Sequence, residues 1–498
     1  MNKPSPHTSR PSPISTSPLR DSCRSCRLPA PQPRTLLAPL LILWLVFCLP
    51  APLRADAALP HDFATFRLGE GKRVVLVIGG IQGDEPGGFS AATLLATRYE
   101  IQAGALWVVP NLNFPSIIKR SRGIYGDMNR KFARLDRDDP QFPTVSRIQQ
   151  LIRDPAVALV LNLHDGSGYY RPRFESKLCS PARWGQSVII DQAQLPDAFL
   201  GDLAQVAERV TEEVNGQLLR PLHKLHVHNT RTAEGDREME KSLSYFAVRH
   251  GKAAFGLEAS KEFPVALRTY YHLHMVEAFM RQAGLRFTRD FSLTPRGIDG
   301  ALRTNLGVSF AENRVFLPLE DVRGQINYLP LPKGSPATAV TSNPIMAVLP
   351  CQNDRGTLCI HYGNRTITCI KPDWRELDTS LGSIEVSVDG RRENLIFGRV
   401  LDVFEGVRIH APAGYRVNAI GYDSGKRDEN GLLLRRSLFE KRFSVDRGGT
   451  LFRVEIYKND RFAGLFLLRF REGKPGNRTG SPQAARLSPD LTGTASGS

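Results

Sequence analysis

One stretch restricts the fold of this chain more than any other: Lys72 to Tyr99, KRVVLVIGGIQGDEPGGFSAATLLATRY. Val74 to Ile78 is an unbroken apolar run, mostly β-branched, as expected of a strand buried on both faces. Glycines at 79, 80, 83, 87 and 88 then turn the chain tightly, since glycine accepts backbone angles that other residues resist. From Ser90 to Tyr99 the apolar spacing becomes helical. The loop carries Gln82, Asp84 and Glu85, polar groups at the carboxyl end of a buried strand. Open α/β sheets place their active sites at such ends.

The alternation continues along the chain. A strand is expected at Leu106–Val109, a helix near Thr144–Ile152, and an apolar strand at Ala158–Leu163 that runs into His164-Asp165-Gly166-Ser167-Gly168. Helices are expected over Pro196–Leu218, Met239–Arg249 and Val265–Gly284, with a strand at Ala253–Leu257 ending on Glu258. This pattern predicts an α/β domain, a mixed or parallel sheet with flanking helices, over residues 58–285. Beyond it, short β-rich runs lie between Gly, Pro, Asp and Asn, including Arg314–Leu317, Thr366–Ile370 and Arg442–Val445. They predict two small all-β, sandwich-like modules at 286–382 and 383–472, with hairpin turns at Asp389-Gly390 and Asn459-Asp460. Residues 473–498 are Gly, Ser, Pro and Thr with little hydrophobicity, the composition of a disordered tail.

Three strands of the first domain thus end in polar residues: Gln82 with Glu85, His164, and Glu258. Between them lies Tyr125-Gly126-Asp127-Met128-Asn129-Arg130-Lys131-Phe132. In order and spacing over residues 70–285 these segments resemble the zinc carboxypeptidase and amidoacid-deacylase superfamily. The usual first histidine ligand is replaced by Gln82. That substitution, with HDGSG followed by an aromatic residue, resembles the peptidoglycan D,L-carboxypeptidases that set cell shape in helical and curved bacteria. The resemblance implies a zinc-carboxypeptidase-like fold with Zn2+ held by Gln82, Glu85 and His164. It implies Glu258 as general base and acid, and Arg122 at the scissile carbonyl, with Arg120 as the competing candidate. Asn129 and Arg130 would grip the substrate's terminal carboxylate, and Trp184 would line the substrate pocket. The expected substrate is a muramyl tripeptide, trimmed to a dipeptide with release of diaminopimelate. An amide oxygen is a weaker metal donor than imidazole. Asp127 is therefore expected to accept from the Gln82 amide NH2 and turn its oxygen toward the ion.

Other polar clusters carry blander expectations. His223, His226 and His228 read as a solvated or loop cluster, with His226 and His228 on one face of a strand as a metal-binding alternative, and His272 and His274 read as packing residues. Glu238, Glu240 and Glu262 read as surface charges, and Ser242 and Ser244 as helix-surface hydroxyls, with a place on the pocket lining near Tyr245 as the alternative. The rival functions are a zinc deacylase of N-acyl amino acids and a non-catalytic wall-binding scaffold.

Residues 1–57 differ from the rest. A Pro-, Ser- and Arg-rich segment precedes the apolar run Leu36–Leu49 and the small-x-small sequence Ala55-Asp56-Ala57. This predicts a cleaved export signal and a periplasmic protein. About 14 apolar residues interrupted by Pro39 are short for a membrane span. The formal net charge of +16 suits anionic polymers such as a cell wall, while the export signal argues against nucleic acid. Cell-wall or membrane-associated protein partners are compatible with export. Four cysteines follow the signal: Cys179, Cys351, Cys359 and Cys369. One bridge among the last three is expected, its pairing left open.

Overall fold

The computed structural model describes residues 62–473, except 352, 353 and 355. The expected signal segment and all but the first residue of the expected tail lie outside the described residues. No helix among the described residues is long and apolar enough to cross a membrane, which says nothing about a β-barrel.

The first domain is built from β1 (Phe66–Glu70), β2 (Val74–Ile78), α1 (Pro86–Arg98), β3 (Tyr99–Val109), α2 (Phe114–Ile118), α3 (Phe142–Arg153) and β4 (Val157–Gly166). Next come two short strands, β5 (Tyr169–Tyr170) and β6 (Cys179–Ser180), then β7 (Ser187–Ile190), α4 (Leu203–Asn215) and β8 (His226–Asn229). The domain closes with α5 (Leu243–Arg249), β9 (Ala253–Ser260), α6 (Val265–Gln282), β10 (Arg286–Arg289) and α7 (Pro295–Arg303). The described residues form a mixed eight-stranded sheet in the order β1-β3-β2-β4-β9-β7-β8, with β10 added to β3. β3, β2, β4 and β9 run parallel through its centre. All five residues of β2 are buried, as its apolar run requires. Helices α1 and α4 each pack against α6 over the sheet, while α3 packs on β4 and α5 on β4 and β9.

The domain boundary expected at 285 falls inside this unit. β10 pairs antiparallel with β3, and Ile298, Ala301 and Leu302 of α7 join the same apolar core. The first domain therefore continues to Arg303. The polar pattern of Arg286–Arg289 hides this from sequence, because this edge strand only half-buries alternate residues. The helix expected at Met239–Arg249 is a 3-10 turn, Met239–Lys241, followed by α5, whose N-cap is Ser242 accepting from Tyr245 N. The helix expected from Pro196 starts at Leu203, capped by the Asp202 side chain.

Each β-module contains two small sheets. In the first, Val315–Pro318, Gly307–Phe310 and Val340–Thr341 form one, and Gln325–Pro332, Arg365–Arg375, Leu358–Tyr362 and Met346–Pro350 the other. In the second, Arg391–Ile396, Ser383–Val388 and Val407–His410 form one, and Val400–Val403, Arg461–Phe470, Leu451–Lys458 and Tyr415–Ala419 the other. Asp389 and Gly390 both have positive φ, the geometry of the tight hairpin turn their sequence suggests. The strand expected at Arg442–Val445 is instead the 3-10 turn Lys441–Phe443. Gln325–Pro332 was concealed by its prolines, which an edge strand tolerates. The modules are not independent beads. Phe89, Phe114 and Ile117 of the first domain share a core with Val308, Phe310 and Ile360, and Phe462 and Leu465 enter the same cluster. Cys351 and Cys359 are bridged, and the free Cys369 Sγ lies 3.2 Å from Cys359 Sγ.

Candidate active site

The central strands deliver the polar residues to one place. β4 and β9 are parallel neighbours with His164 directly opposite Glu258. β2 lies on the other side of β4, and the loop that leaves it carries Gln82 and Glu85. Backbone bonds fix this loop: Gly79 N donates to Val109 O at 2.7 Å, and Asn113 N donates to Gly80 O at 2.9 Å. A Cβ at Gly83 would collide with the backbone of Ser116, so the loop can lie against α2 only with glycine there.

Gln82, Glu85 and His164 are buried and their donor atoms converge. His164 Nδ1 lies 3.1 Å from Gln82 Oε1 and 3.0 Å from Glu85 Oε2. One ring nitrogen can donate at most one proton, so it cannot serve both oxygens fully. A divalent ion among the three atoms would satisfy all of them. An amide oxygen, a carboxylate and an imidazole, with one side open to a cavity, match the three-ligand arrangement of catalytic metal sites. The Gln82 oxygen is aimed by its partner: Gln82 Nε2 donates to Asp127 Oδ1 at 2.8 Å. Burial opposes ionisation of Asp127, but the Gln82 bond, the Arg122 charge and the Asn129 backbone N–H hold its carboxyl below the usual range.

Glu258 is buried beside these groups, and its Oε2 has no hydrogen-bond partner. Burial, reinforced by the negative charges of Glu85 and Asp165, pushes its carboxyl well above the ordinary value. A cation bound nearby would counter that repulsion. The four groups border a cavity of about 320 Å³ that is also lined by Arg122, Asn129, Arg130, Trp184, Ser244 and Lys261. Arg122 lies 3.0 Å from Asp127 Oδ2 and 3.4 Å from Glu85 Oε1. Arg120 is not among the lining residues. The Arg130 guanidinium is held by the Asn129 carbonyl at 3.0 Å. Asn129 spends its amide oxygen on Leu243 N at 2.9 Å, leaving its NH2 3.5 Å from His164 Nε2.

Several supporting residues escaped the sequence reading. Lys261 Nζ lies 3.3 Å from both Glu85 Oε1 and Asp84 Oδ2, and those charges keep it protonated against the cost of burial. Its only sequence signal is its position three residues after Glu258. Asp165, next to His164, is buried and accepts from Gly87 N, Arg268 Nη1 and His272 Nε2. It thereby ties the start of α1 to α6, and its carboxylate suits the N-terminal end of α1. Ser242 and Ser244 are buried rather than surface hydroxyls. His223, His226 and His228 are not a solvated loop either. His223 is buried against the Tyr271 hydroxyl at 2.6 Å, while His226 and His228 stand on β8. His228 stacks on Tyr170 at 4.0 Å and packs against Trp184 at 5.0 Å, and burial pushes its pKa down to about 4. Glu238 is exposed as expected but lies 3.6 Å from Arg130.

Comparison with known proteins decides the family. A family model described as the catalytic part of carboxypeptidases controlling helical cell shape matches residues 46–302. The chain belongs to this carboxypeptidase family. A second model, the C-terminal domain of metallo-carboxypeptidases, matches residues 377–471. The chain is similar to the cell shape determinant protein Csd4 of Helicobacter pylori. The product-bound structure of that protein is 37% identical, covering 82% of this chain and 100% of that one, with a TM-score of 0.76. A tripeptide-bound structure is 36% identical over the same shares, with a TM-score of 0.76. An mDAP-bound structure, described as a D,L-carboxypeptidase, is 38% identical over 80% of this chain and 96% of that one, with a TM-score of 0.75. No curated protein sequence matches. The chain is thus a metallocarboxypeptidase whose mixed α/β sheet with flanking helices is followed by small β-modules.

Proposed function

We propose that this protein is an exported zinc D,L-carboxypeptidase that trims the uncrosslinked tripeptide stems of peptidoglycan to dipeptides, releasing diaminopimelate and so shaping the cell. The observation that carries this reading is the convergence of Gln82, Glu85 and His164 beside Glu258, in a cavity bordered by Arg122 and Arg130. The relatives with tripeptide and mDAP bound support the substrate class. The basic, apolar leader supports export to the periplasm.

Gln82, Glu85 and His164 would hold the zinc ion. When bound, the ion supplies Lewis acidity and lowers the pKa of a water. Glu258 takes a proton from the attacking water and passes it to the leaving amine, for which its unpaired oxygen is free. Arg122 meets the negative charge that develops on the carbonyl oxygen. Arg130 pairs with the terminal carboxylate through parallel N–H bonds, and the Asn129 amide adds a donor. Trp184, backed by His228 and Tyr170, closes one wall.

Muramyl tripeptide incubated with the purified protein, with and without a chelator, tests the proposal. A dipeptide and free diaminopimelate, formed only without chelator and restored by zinc, are expected. Hydrolysis of N-acyl amino acids instead would assign a deacylase, and binding without turnover would assign a scaffold.

A further inference from the structure

A second recess, about 510 Å³ in volume, lies between the two β-modules. Its floor is the strand pair Tyr415–Ala419 and Leu451–Lys458, with Arg416 opposite Tyr457 and Asn418 opposite Glu455. Alternation sends Val417, Ala419, Val454 and Ile456 into the apolar core and leaves Arg416, Asn418, Arg453, Glu455 and Tyr457 lining the recess.

This polar face is only partly satisfied. Glu455 is 3% exposed; its Oε2 accepts from the Tyr457 hydroxyl at 2.8 Å, but its Oε1 has no hydrogen-bond partner, and Arg453 Nε stands 3.5 Å away. Burial holds this carboxyl above its ordinary value. The Arg416 guanidinium rests on the Tyr457 ring at 4.8 Å, and it donates to the Arg427 carbonyl at a long 3.5 Å. Arg375 and Arg323, in contrast, are consumed by Asp373 and by the Ser444 and Lys441 carbonyls. An incompletely paired polar face stabilises an interface less well than apolar packing. At the rim stand two exposed rings: Phe443, and Tyr328, which is 74% exposed on a backbone with φ of +52°.

Planar guanidinium, amide and carboxylate groups offer paired donors and acceptors to adjacent hydroxyls, and exposed rings cover the C–H faces of a pyranose. We propose that this recess binds a saccharide chain: the glycan that carries the peptide trimmed at the active site. The inference rests on the peptidoglycan reading above. It makes the β-modules the part that holds the polymer while the first domain works on its stems.

The test uses the full chain and glycan strands stripped of peptide by an amidase. Wild type should co-sediment with the stripped strands. Arg416→Ala/Asn418→Ala should weaken that binding by on the order of tenfold, as removal of central interface contacts does. It should keep kcat/KM on free tripeptide within about twofold, which also shows that the variant folds. Tyr328→Ala, at an exposed rim position, should weaken strand binding without changing the melting temperature. Equal retention of wild type and both variants would overturn the proposal. So would a wild type that turns over tripeptide yet ignores stripped strands, an outcome that leaves the active-site reading intact. Strand binding without tripeptide turnover would support the recess and count against the active-site reading alone.

Discussion

At residue scale the proposed chemistry asks an amide to serve as a metal donor. Asp127 would make it do so: it accepts from the Gln82 NH2 at 2.8 Å, and it also holds Arg122 at 3.0 Å. Removing such a partner typically weakens metal affinity by about 10- to 100-fold. Asp127→Ala is therefore expected to lose zinc in competition with a chelating dye, while Asp127→Asn, which keeps the shape but can present its NH2 to another NH2, should fall between. Full occupancy in the alanine variant would contradict this role. Glu258→Gln should lower kcat by roughly 10²- to 10⁴-fold, the usual contribution of a positioned acid–base group, with metal content unchanged. That Gln82, Glu85 and His164 follow buried strands was legible from the apolar runs before them, while their grouping as a metal-binding set came from the resemblance to a known family. Lys261 and Asp165 were not, since a lone lysine and a carboxylate beside a histidine have no spacing that separates them from surface charges.

The loop after β2 is the decisive element. Gly83→Ala would drive a methyl group into the Ser116 backbone. Such overpacking costs about 1–3 kcal/mol. The displaced loop should also loosen the metal, read as a lower melting temperature together with weaker zinc affinity. In the second β-module, Asp446 accepts from Thr450 N, Thr450 Oγ1 and Leu451 N. Burial raises its pKa, but those bonds win and hold it below the ordinary value. Its stabilising effect is thus complete above the unfolded pKa near 3.9 and fades as pH falls through the folded value. Asp446→Asn should be less stable than wild type by about 1–3 kcal/mol near neutral pH, and the gap in urea unfolding should narrow in acid. Buried strands such as β2 and β4 were readable from their apolar runs. β8 and β10 were not, because four-residue edge strands that are at most half-buried carry no apolar run long enough to stand out from loop.

The whole molecule behaves as more than a catalytic domain with appendages. Phe89, Phe114 and Ile117 belong to the catalytic sequence but pack in the core of the first β-module. A chain ending at Arg303 should expose them, lower the melting temperature and self-associate on size exclusion; a monomer as stable as the full protein would refute this coupling. Sequence showed the change from α/β to all-β character, since that lies in periodicity. It misplaced the border because β10 and α7 are held by contacts with β3 and the first core that no local pattern records. The central claim concerns where the metal sits, and anomalous diffraction at the zinc edge from zinc-loaded crystals tests it most directly. A single strong peak is expected at about 2.0–2.2 Å from Gln82 Oε1, Glu85 Oε2 and His164 Nδ1. A peak only at the cysteine cluster of the β-module, or none between β2 and β4, would contradict the account.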